Sequence, residues 1–407
     1  MCLSRRNYFE ERKMIEIKGT VKQYAWGGYH YLPMMLNSGF ENEPTAELWL
    51  GDHKSGSATL IDGSPLSKWI EAAPEYRLGK GLVLRYGCRL PYLFKVLDVR
   101  EPLSIQVHPT IEQAKKGYKR EVSKGISSDK RSYHDDNHKP ELMLALSDFY
   151  LLHGFRNVTE AVEELSKYKS LHELVELYSG VGIKGFVSLI FNLPKSNLDK
   201  LLAPIIEANR SAYNQNEISK SESLFWFMRA VARIERDQME LDAGLLMIFI
   251  MNLMYVSKGD VVYQDAGVPH AYLEGQNIEL MANSDNVVRC GLTPKHVDTR
   301  ELLEITDFTP ITPETVEGIK GLDGSTDYIV PVDDFALREY KLEKGQSLAT
   351  PEDKGACIWF VLSGEVKLDN QQHYSSSGSA FYQRPGEVNV FRAISDAVIY
   401  RASASTN

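Results

Sequence analysis

Four side chains suited to metal binding are spread over three distant segments of the chain. Gln106 and His108 stand in PLSIQVHP, where apolar residues alternate with them. A strand directs alternate side chains to one face, so Gln106 and His108 are predicted to point the same way. Glu141 lies in NHKPE, and His270 follows much later in GDVVYQDAGVPHAY. Since no local loop can hold all four, a folded scaffold must bring them together.

The hydrophobic pattern divides the chain into β-rich and helical regions. Residues 18–98 show short β-rich runs punctuated by Gly and Pro, which favours an antiparallel β-domain. Between 157 and 254 apolar residues recur at helical spacing, with Asn157 as a predicted N-cap and 224–236 as a predicted helix. Strand and turn signals return beyond 255, after a helical insert, and a linker is expected around 312–327.

A short internal repeat links two parts of the β-rich sequence. KGDVVYQDAGVPH (258–270) aligns without gaps on SGSAFYQRPGEVN (377–389), matching Gly, Tyr and Gln in the same order. Shared turn glycines that flank a strand indicate two related β-barrels, although one short match can also arise by chance. His270 falls opposite Asn389, so only the first barrel is predicted to carry metal.

Composition excludes several classes of protein. With 407 residues and 43% hydrophobic content, the chain is long enough for two or three conventional domains. The net charge of −9 argues against a nucleic-acid partner. Four scattered cysteines, with no CxxC motif, fit a reducing compartment.

Two further observations bear on where the protein resides. Residues 1–13 lack an apolar core, so they do not predict an export signal. The most apolar run, 243–256, is shorter than the ~20 residues that span a bilayer and predicts a buried helix instead. A cytoplasmic protein with no membrane partner is expected.

Several long motifs resemble those of the type I phosphomannose isomerases, zinc enzymes of the cupin fold. The motifs, which span most of residues 20–300, are YAWG, AELWLGDH, PYLFKVLD, PLSIQVHP, NHKPELMLAL, GVPHAYLEG and ELMANSDNVVRCGLTPKHVD. The resemblance implies a mainly β protein with two cupin (jelly-roll) barrels and a helical domain. Residues 1–156 and 255–315 would form the catalytic metal-binding domain, 157–254 the helical insert, and 316–407 a C-terminal cupin-like domain without metal.

The same resemblance implies that one Zn²⁺ per chain is bound by Gln106, His108, Glu141 and His270. Two imidazoles, a carboxylate and an amide oxygen suit Zn²⁺, and the lack of thiolates argues against a closed structural site. Taken singly, His108 and His270 would more readily be interpreted as hydrogen-bonded core histidines. Four such residues, each within a family motif, favour the metal site.

The implied activity is the interconversion of mannose 6-phosphate and fructose 6-phosphate by an aldose–ketose isomerase. A proton moves between C1 and C2 through an enediol-like intermediate, and a metal ion can stabilise the negative charge that develops on oxygen. Such an enzyme supports mannose metabolism and the supply of precursors for GDP-mannose. Its partner is a small sugar phosphate, and a monomer is expected.

Three residues are candidates for catalysis. Arg289 matches the essential arginine of the family, and its guanidinium can hold a phosphate or stabilise an enediolate. Lys139, two residues before Glu141 and so on the same strand face, is a candidate proton carrier, unless it is a surface lysine or neutralises phosphate. Asp285 in NSDN is a second candidate, with a turn-forming role as the alternative.

Four more residues are candidates for binding the substrate. Lys95 and Ser104 match family positions associated with the phosphate end, and Lys295 adds positive charge nearby. Tyr272, two residues after His270, can line the same face. In an acidic protein these cations would supply the local attraction for an anionic substrate.

Two other functions remain open at this point. Another metal-dependent cupin enzyme, such as an iron oxygenase, would share the fold, but such enzymes usually carry two or three histidine ligands. A sugar-phosphate binding protein that has lost catalysis would keep the pocket, but intact Lys139, Asp285 and Arg289 argue against it. Turnover of the sugar phosphate without oxygen, with and without a chelator, separates the three.

Overall fold

The computed structural model describes residues 14–37, 42–128, 131–369, 371 and 373–405. The N-terminal segment 1–13, in which no export signal is expected, lies outside these ranges. The described part is built on three β-sheets and carries eleven α-helices, five of which lie between residues 158 and 250.

The strands and helices are as follows. The strands are β1 (Ile15–Lys18), β2 (Thr20–Lys22), β3 (Glu47–Leu50), β4 (Thr59–Leu60), β5 (Tyr92–Val99), β6 (Gln106–Val107), β7 (Glu141–Ala145), β8 (Phe149–Phe155), β9 (Met251–Val256), β10 (Val261–Gln264), β11 (His270–Ala282), β12 (Val288–Arg289), β13 (Ile319–Lys320), β14 (Ser325–Tyr328), β15 (Ala336–Leu342), β16 (Ser347–Ala349), β17 (Cys357–Ser363), β18 (Glu365–Leu368), β19 (Ser375–Ser376), β20 (Ala380–Gln383), β21 (Val390–Ala393) and β22 (Ala397–Ser403). The helices are α1 (Tyr31–Met35), α2 (Leu66–Ala72), α3 (Pro74–Leu78), α4 (Lys80–Tyr86), α5 (Ile111–Ser123), α6 (Val158–Ser166), α7 (His172–Phe191), α8 (Lys195–Asn214), α9 (Ser223–Arg236), α10 (Gly244–Ile250) and α11 (Thr299–Ile305).

The long strand β11 organises the first β-domain. Its first half pairs with β6 and β8, and its second half pairs with β5 and β7. The register shifts between Tyr272 and Glu274, next to Gly275 at φ 131°, as expected for a β-bulge that bends a strand. One strand thereby serves two parts of a ten-stranded sheet whose main path is β10-β7-β11-β5-β3-β2.

The second β-domain contains an eight-stranded sheet and a four-stranded sheet. The larger has the order β13-β14-β15-β22-β17-β20-β1-β4, and the smaller has the order β16-β21-β18-β19. Trp359, Phe381 and Phe391 are fully buried in the cluster that the two sheets share. Strand β1, from the start of the described chain, pairs with β20, so this sheet combines strands from both ends of the sequence.

The helical insert packs against the outer face of the first β-domain. Val107 of β6 and Ala271 of β11 join Trp226 and Phe249 in one buried cluster. Alternation along β6 therefore sends Val107 toward the helices and its neighbour Gln106 to the opposite face. The predicted cap is confirmed, because the Asn157 side chain accepts a hydrogen bond of 2.9 Å from the Glu160 amide. The predicted helix over 224–236 is also confirmed as α9.

The helix predicted over 243–256 is wrong in its second half. The chain is helical only over α10 and then continues directly as β9, which pairs with β8. An apolar run of this length is compatible with either structure, and the available edge of β8 selects a strand for its last six residues. Among the described residues one stretch, Lys169–Phe191, has the length and hydropathy of a membrane span. Of its most apolar segment of 18 residues, 33% is buried. That stretch is interrupted at Gly182, where φ is 67°.

The internal repeat corresponds to matching structure. Strands β10 and β20 each end at a glutamine that is fully buried, Gln264 and Gln383. Each strand also lies between two glycines of positive φ, near 98° and 83° around β10 and near 87° and 72° around β20. The repeat therefore reflects the same strand and turns in the two β-domains.

Candidate metal centre and substrate pocket

Strand pairing brings four polar side chains into one row across the first β-domain. His270, the first residue of β11, lies opposite Gln106 of β6 and opposite His153 of β8. Gln106 also lies opposite Arg289 of β12. Directly opposed residues of antiparallel strands share a face, so the four side chains are directed to the same side of the sheet.

Three ligand-type side chains converge at this row. His108 Nε2 lies 3.2 Å from one oxygen of Glu141, and His270 Nε2 lies 3.3 Å from the other. The three ligand atoms are all within 4.8 Å of one another. All three residues are buried, with exposed fractions of 1–3%. The geometry therefore places two buried imidazoles around one buried carboxylate.

Both imidazoles are oriented through their Nδ1 atoms. His108 Nδ1 lies 2.7 Å from the Asn286 carbonyl oxygen, and His270 Nδ1 lies 3.0 Å from the Val268 carbonyl oxygen. A carbonyl accepts only, so each Nδ1 carries the hydrogen and each Nε2 keeps a lone pair. His108 Nε2 is buried and has no hydrogen-bond partner despite its proximity to Glu141. A backbone-anchored imidazole with its lone pair unused is the arrangement that metal ligands show.

The electrostatics of the cluster maintain the protonation states that a metal requires. Burial, with the Lys139 ammonium nearby, lowers the pKa of His108 to about 4 and keeps the ring neutral. Burial alone would raise the pKa of Glu141, but the Lys139 ammonium outweighs it, contacts with the His108 and His270 rings add to this effect, and that pKa lies well below its usual range. A neutral imidazole and an ionised carboxylate are the forms that coordinate cations.

A polar cavity of about 180 Å³ opens above this cluster. Seven of the eleven predicted site residues line it, namely Lys95, Gln106, Lys139, Glu141, His270, Tyr272 and Asp285. Lys139 lies with its Nζ 2.9 Å from Glu141, and His138 is directed elsewhere, to Asp334 at 3.0 Å. This is the alternation expected when Lys139 and Glu141 share a strand face.

Lys95 is paired with carboxylates inside the cavity. Its ammonium lies 2.7 Å from Glu279 and 4.0 Å from Glu47. Burial lowers the pKa of Lys95, but the charges of Glu279 and Glu47 outweigh it and raise the pKa above its ordinary value. Tyr272 is 4% exposed nearby, and its hydroxyl oxygen accepts a hydrogen bond of 3.3 Å from Gln264.

Arg289, Lys295 and Ser104 do not line this cavity. Arg289 is half-buried, and no described residue makes an ion pair or hydrogen bond with its guanidinium. The Arg289 charge is the main cause that lowers the pKa of Lys295, so the two cations lie close together. Ser104 lies two residues before Gln106, and both are partly exposed.

Two residues that line the cavity and one that lies beside it were not predicted from the sequence. His53 and Glu47 line the cavity from the AELWLGDH segment, whose alternation already puts Glu47 and Trp49 on one strand face. His153 is 6% exposed beside His270, and neither of its ring nitrogens has a partner. No motif marks His153, because its place depends on the pairing of β8 with β11.

Two histidines and a carboxylate beside a cavity that Gln106 also lines give this cupin-type fold a candidate metal site. Residues 14–158 match the family model described as "Phosphomannose isomerase type I, catalytic domain". The chain is 31% identical to mannose-6-phosphate isomerase 1 of Arabidopsis thaliana, over 98% of this chain and 95% of the relative. It is also 31% identical to mannose-6-phosphate isomerase of Escherichia coli K12, over 87% of this chain and 90% of the relative.

Solved structures agree with this relationship. A mannose 6-phosphate isomerase bound with zinc and yttrium superposes with a TM-score of 0.84 at 30% identity, covering 96% of this chain and 99% of that one. The apo form of the enzyme from Salmonella typhimurium gives the same values. The chain belongs to the type I phosphomannose isomerase family.

Proposed function

We propose that this protein is a metal-dependent isomerase that interconverts mannose 6-phosphate and fructose 6-phosphate. The observation that carries the proposal is the buried convergence of His108, Glu141 and His270 below a polar cavity, in a chain that matches curated isomerases over nearly its whole length. We further propose one Zn²⁺ per chain, with Gln106 as the fourth ligand. The orphaned Nε2 of His108 supports this fit.

The ligand set suits the chemistry of an isomerase. His108, Glu141, His270 and Gln106 would hold Zn²⁺ with one carboxylate among neutral ligands, and the net positive ion would supply a Lewis acid for the oxygens of the reacting carbons. The Nδ1 hydrogen bonds keep both histidine rings oriented before the metal or the substrate binds. The cavity walls then orient the sugar and exclude water from the reacting carbons.

Lys139 and Asp285 are the residues that we propose for proton transfer. Isomerisation removes a proton from one carbon and returns it to the neighbouring carbon, so a group that can exchange a proton must face the sugar. Both residues line the cavity, and Lys139 is held 2.9 Å from Glu141. Proton transfer predicts that product formed in D₂O acquires deuterium at C1 or C2, whereas a hydride shift predicts none.

Deuterium exchange also separates the two candidates. Lys139→Met and Asp285→Asn should each slow turnover, but only the variant that lacks the carbon base should lose exchange into substrate during equilibration. A variant that turns over slowly and still exchanges deuterium retains the base.

We propose Arg289, Lys295 and Ser104 for the phosphate end of the substrate. Two neighbouring cations without a carboxylate partner among the described residues form a site for a dianion, and Ser104 can add a hydroxyl donor. Lys95 already pairs with Glu279 inside the cavity, which favours contact with sugar hydroxyls, as we also propose for Tyr272. We therefore propose that the phosphate binds outside the central cavity and that the reacting carbons lie within it.

A coupled assay tests the proposed activity. Purified protein should convert mannose 6-phosphate to fructose 6-phosphate without oxygen, lose activity on exhaustive chelation and recover it with Zn²⁺. Elemental analysis should give one zinc per chain. Binding of the sugar phosphate without conversion would overturn the proposal, and so would full activity in demetallated protein.

We also propose a cellular setting and an organisation for this activity. A cytoplasmic monomer that supplies mannose metabolism and GDP-mannose precursors fits the net charge of −9 and the three free described cysteines, Cys88, Cys290 and Cys357. We keep the division into 1–156 with 255–315, 157–254 and 316–407, noting that β1 pairs within the C-terminal sheet. Light scattering after gel filtration tests the monomer.

A further inference from the structure

His53 is a buried histidine beside the cavity whose tautomer the structure defines. Its side chain is 2% exposed and contacts the edge of Trp49, with the ring centroids 5.1 Å apart. The Ser55 backbone amide donates a hydrogen bond of 3.1 Å to His53 Nδ1. A ring nitrogen that accepts carries no hydrogen, so the hydrogen of the neutral ring is on Nε2.

The Nε2 atom of His53 faces Asp285. It lies 3.3 Å from Asp285 Oδ1, although the two residues are 232 positions apart in the sequence. The second oxygen of Asp285 accepts from the Ser55 hydroxyl at 3.2 Å and lies 3.3 Å from the Lys54 ammonium. A single turn, 53–55, therefore contacts both oxygens of one carboxylate.

The backbone of Asp285 is anchored from the other side. Its amide donates to Asp135 at 3.0 Å, and the same carboxylate of Asp135 accepts from the Ser284 hydroxyl at 2.7 Å. Asp285 thus has a fixed backbone and two contacted oxygens at the cavity wall. Burial would raise the pKa of Asp285, but the contacts with His53 and Lys54 outweigh it and lower that pKa far below the ordinary value.

We propose that His53 is a positioning residue that acts through Asp285, holding its carboxylate ionised and oriented toward the sugar. The proposal rests on the proposed isomerase function, since it assigns Asp285 a role at the substrate. Its physical basis is the tautomer, because only the Nε2–H form presents a donor to Asp285 while Nδ1 accepts from Ser55. A ring that merely filled space under Trp49 would need neither contact.

Two amide substitutions separate positioning from packing. In His53→Gln the amide can replace Nε2 and donate to Asp285, whereas in His53→Asn the shorter amide reaches only the Nδ1 position. We expect His53→Gln to keep at least a third of kcat and His53→Asn to lose ten- to a hundredfold in kcat, with KM changed less than threefold.

The dependence of kcat on pH is a second measurement. Its acid limb should move to higher pH in His53→Asn only. The charged groups around Asp285 that set this limb are Lys54 and Asp135, with Tyr24 farther off, and both variants keep them.

A double-mutant cycle gives the decisive result. If His53 acts through Asp285, adding His53→Asn to Asp285→Asn should lower kcat by less than threefold further. An undiminished additional loss would overturn the proposal, as would equal damage in His53→Gln and His53→Asn.

A spectroscopic readout keeps this test separate from the proposed function. Nitrogen NMR of the histidines in the zinc-loaded protein should show His53 as the Nε2–H tautomer in wild type and a change of its Nε2 shift in Asp285→Asn. An Nδ1–H tautomer would overturn the proposal even in an active enzyme. If the wild-type protein lacks isomerase activity while the tautomer is as expected, the proposed function fails and the His53–Asp285 contact stands. Zinc content should equal that of wild type in every variant.

Discussion

At the scale of single residues, the proposed metal centre depends on backbone carbonyls as much as on the proposed ligands. Asn286 and Val268 each accept from the Nδ1 of one histidine, and this leaves both Nε2 atoms directed at Glu141. The ligands are therefore pre-oriented, and removing one of them leaves the others in place. A loss of metal is then attributable to the missing ligand atom.

The first prediction concerns His270. His270→Ala should reduce zinc to less than a tenth per chain and abolish activity, while far-ultraviolet circular dichroism stays close to wild type because the helical insert does not depend on the site. His153→Gln is the matched control, since His153 is also a buried imidazole and lies directly opposite His270. Full zinc content in His270→Ala, or equal loss in the control, would contradict the ligand assignment.

The second prediction decides between the two roles left open for Arg289. Arg289→Ala should keep its zinc and lose about ten- to a hundredfold in kcat/KM, since a hydrogen-bonded charge contributes ~1.5–3 kcal/mol. If the guanidinium holds phosphate, the inhibition constant of inorganic phosphate should rise in parallel. If it stabilises the enediolate, kcat should fall and phosphate inhibition should persist.

The control for this experiment is Arg300→Ala, which changes an exposed arginine at the start of α11. It should match wild type in both measurements. An unchanged kcat/KM in Arg289→Ala would exclude any part for that residue in the reaction.

Sequence reasoning identifies site residues where a motif carries them and misses those defined only by contact across the fold. His108, Glu141 and His270 were predicted and lie together. The pairing of Lys95 with Glu279 was not predicted, because it needs the register of β5 against β11, which local spacing does not determine. His53 was missed for the same reason, since its partner Asp285 belongs to a distant loop.

At the scale of elements, the two β-domains use the same strand and turns for different purposes. His270 starts β11 in the first domain, and the aligned Asn389 directly precedes β21 in the second. Asn389 Oδ1 accepts a hydrogen bond of 3.2 Å from the Met14 backbone amide, and the Asn389 backbone amide donates one of 3.0 Å to the Thr350 hydroxyl. In the second domain, therefore, the side chain at this position binds Met14, the residue directly before β1, by a hydrogen bond.

The third prediction follows from that contact. Asn389→Ala removes the acceptor of a buried amide and should lower the free energy of unfolding by ~1–3 kcal/mol, because an unsatisfied buried donor is costly. Catalysis and zinc content should stay within twofold of wild type. Urea unfolding, with Val388→Ala as an exposed neighbouring control, measures the difference, and a loss of zinc would show that the second domain supports the metal centre directly.

The local sequence predicts a helix or strand well when caps, turn residues or hydrophobic spacing mark it. It predicts poorly when pairing with another strand determines the structure. Asn157 and the helical spacing behind it predicted α6, and the shared turn glycines of the repeat marked β10 and β20. The run 243–256 carries apolar residues throughout, so nothing local indicates that it changes from helix to strand at Met251. The free edge of β8 makes that choice.

At the scale of the whole molecule, one apolar core joins the two β-domains. Phe94 of β5 and Ile278 of β11 share a buried cluster with Phe360 of β17 and Tyr400 of β22. Asp52 lies in the loop after β3, beside this core, and accepts hydrogen bonds from the Leu90 amide at 2.9 Å and the Asn283 side chain at 3.3 Å. The free energy of unfolding of the joined β-domains therefore depends in part on whether the Asp52 carboxyl is ionised.

The last prediction is a pH dependence of stability that originates at Asp52. Burial raises the pKa of Asp52 from 3.8 to about 7, despite the Leu90 hydrogen bond that opposes the shift. Because the folded state holds the proton more tightly than the unfolded chain, the contribution of Asp52 is most favourable below pH 3.8 and is lost as the pH rises toward 7. Asp52→Asn cannot ionise, so the unfolding free energy of wild type minus that of Asp52→Asn should fall between pH 4 and 7, by at most ~1.4 kcal/mol per pH unit. Taking the difference between two zinc-loaded proteins cancels the opposite slope from carboxyls such as Asp285, whose pKa is lowered by folding. A flat or rising difference in urea unfolding would show that Asp52 is ionised in the folded protein throughout this range, with the Leu90 and Asn283 hydrogen bonds sufficient to offset its burial.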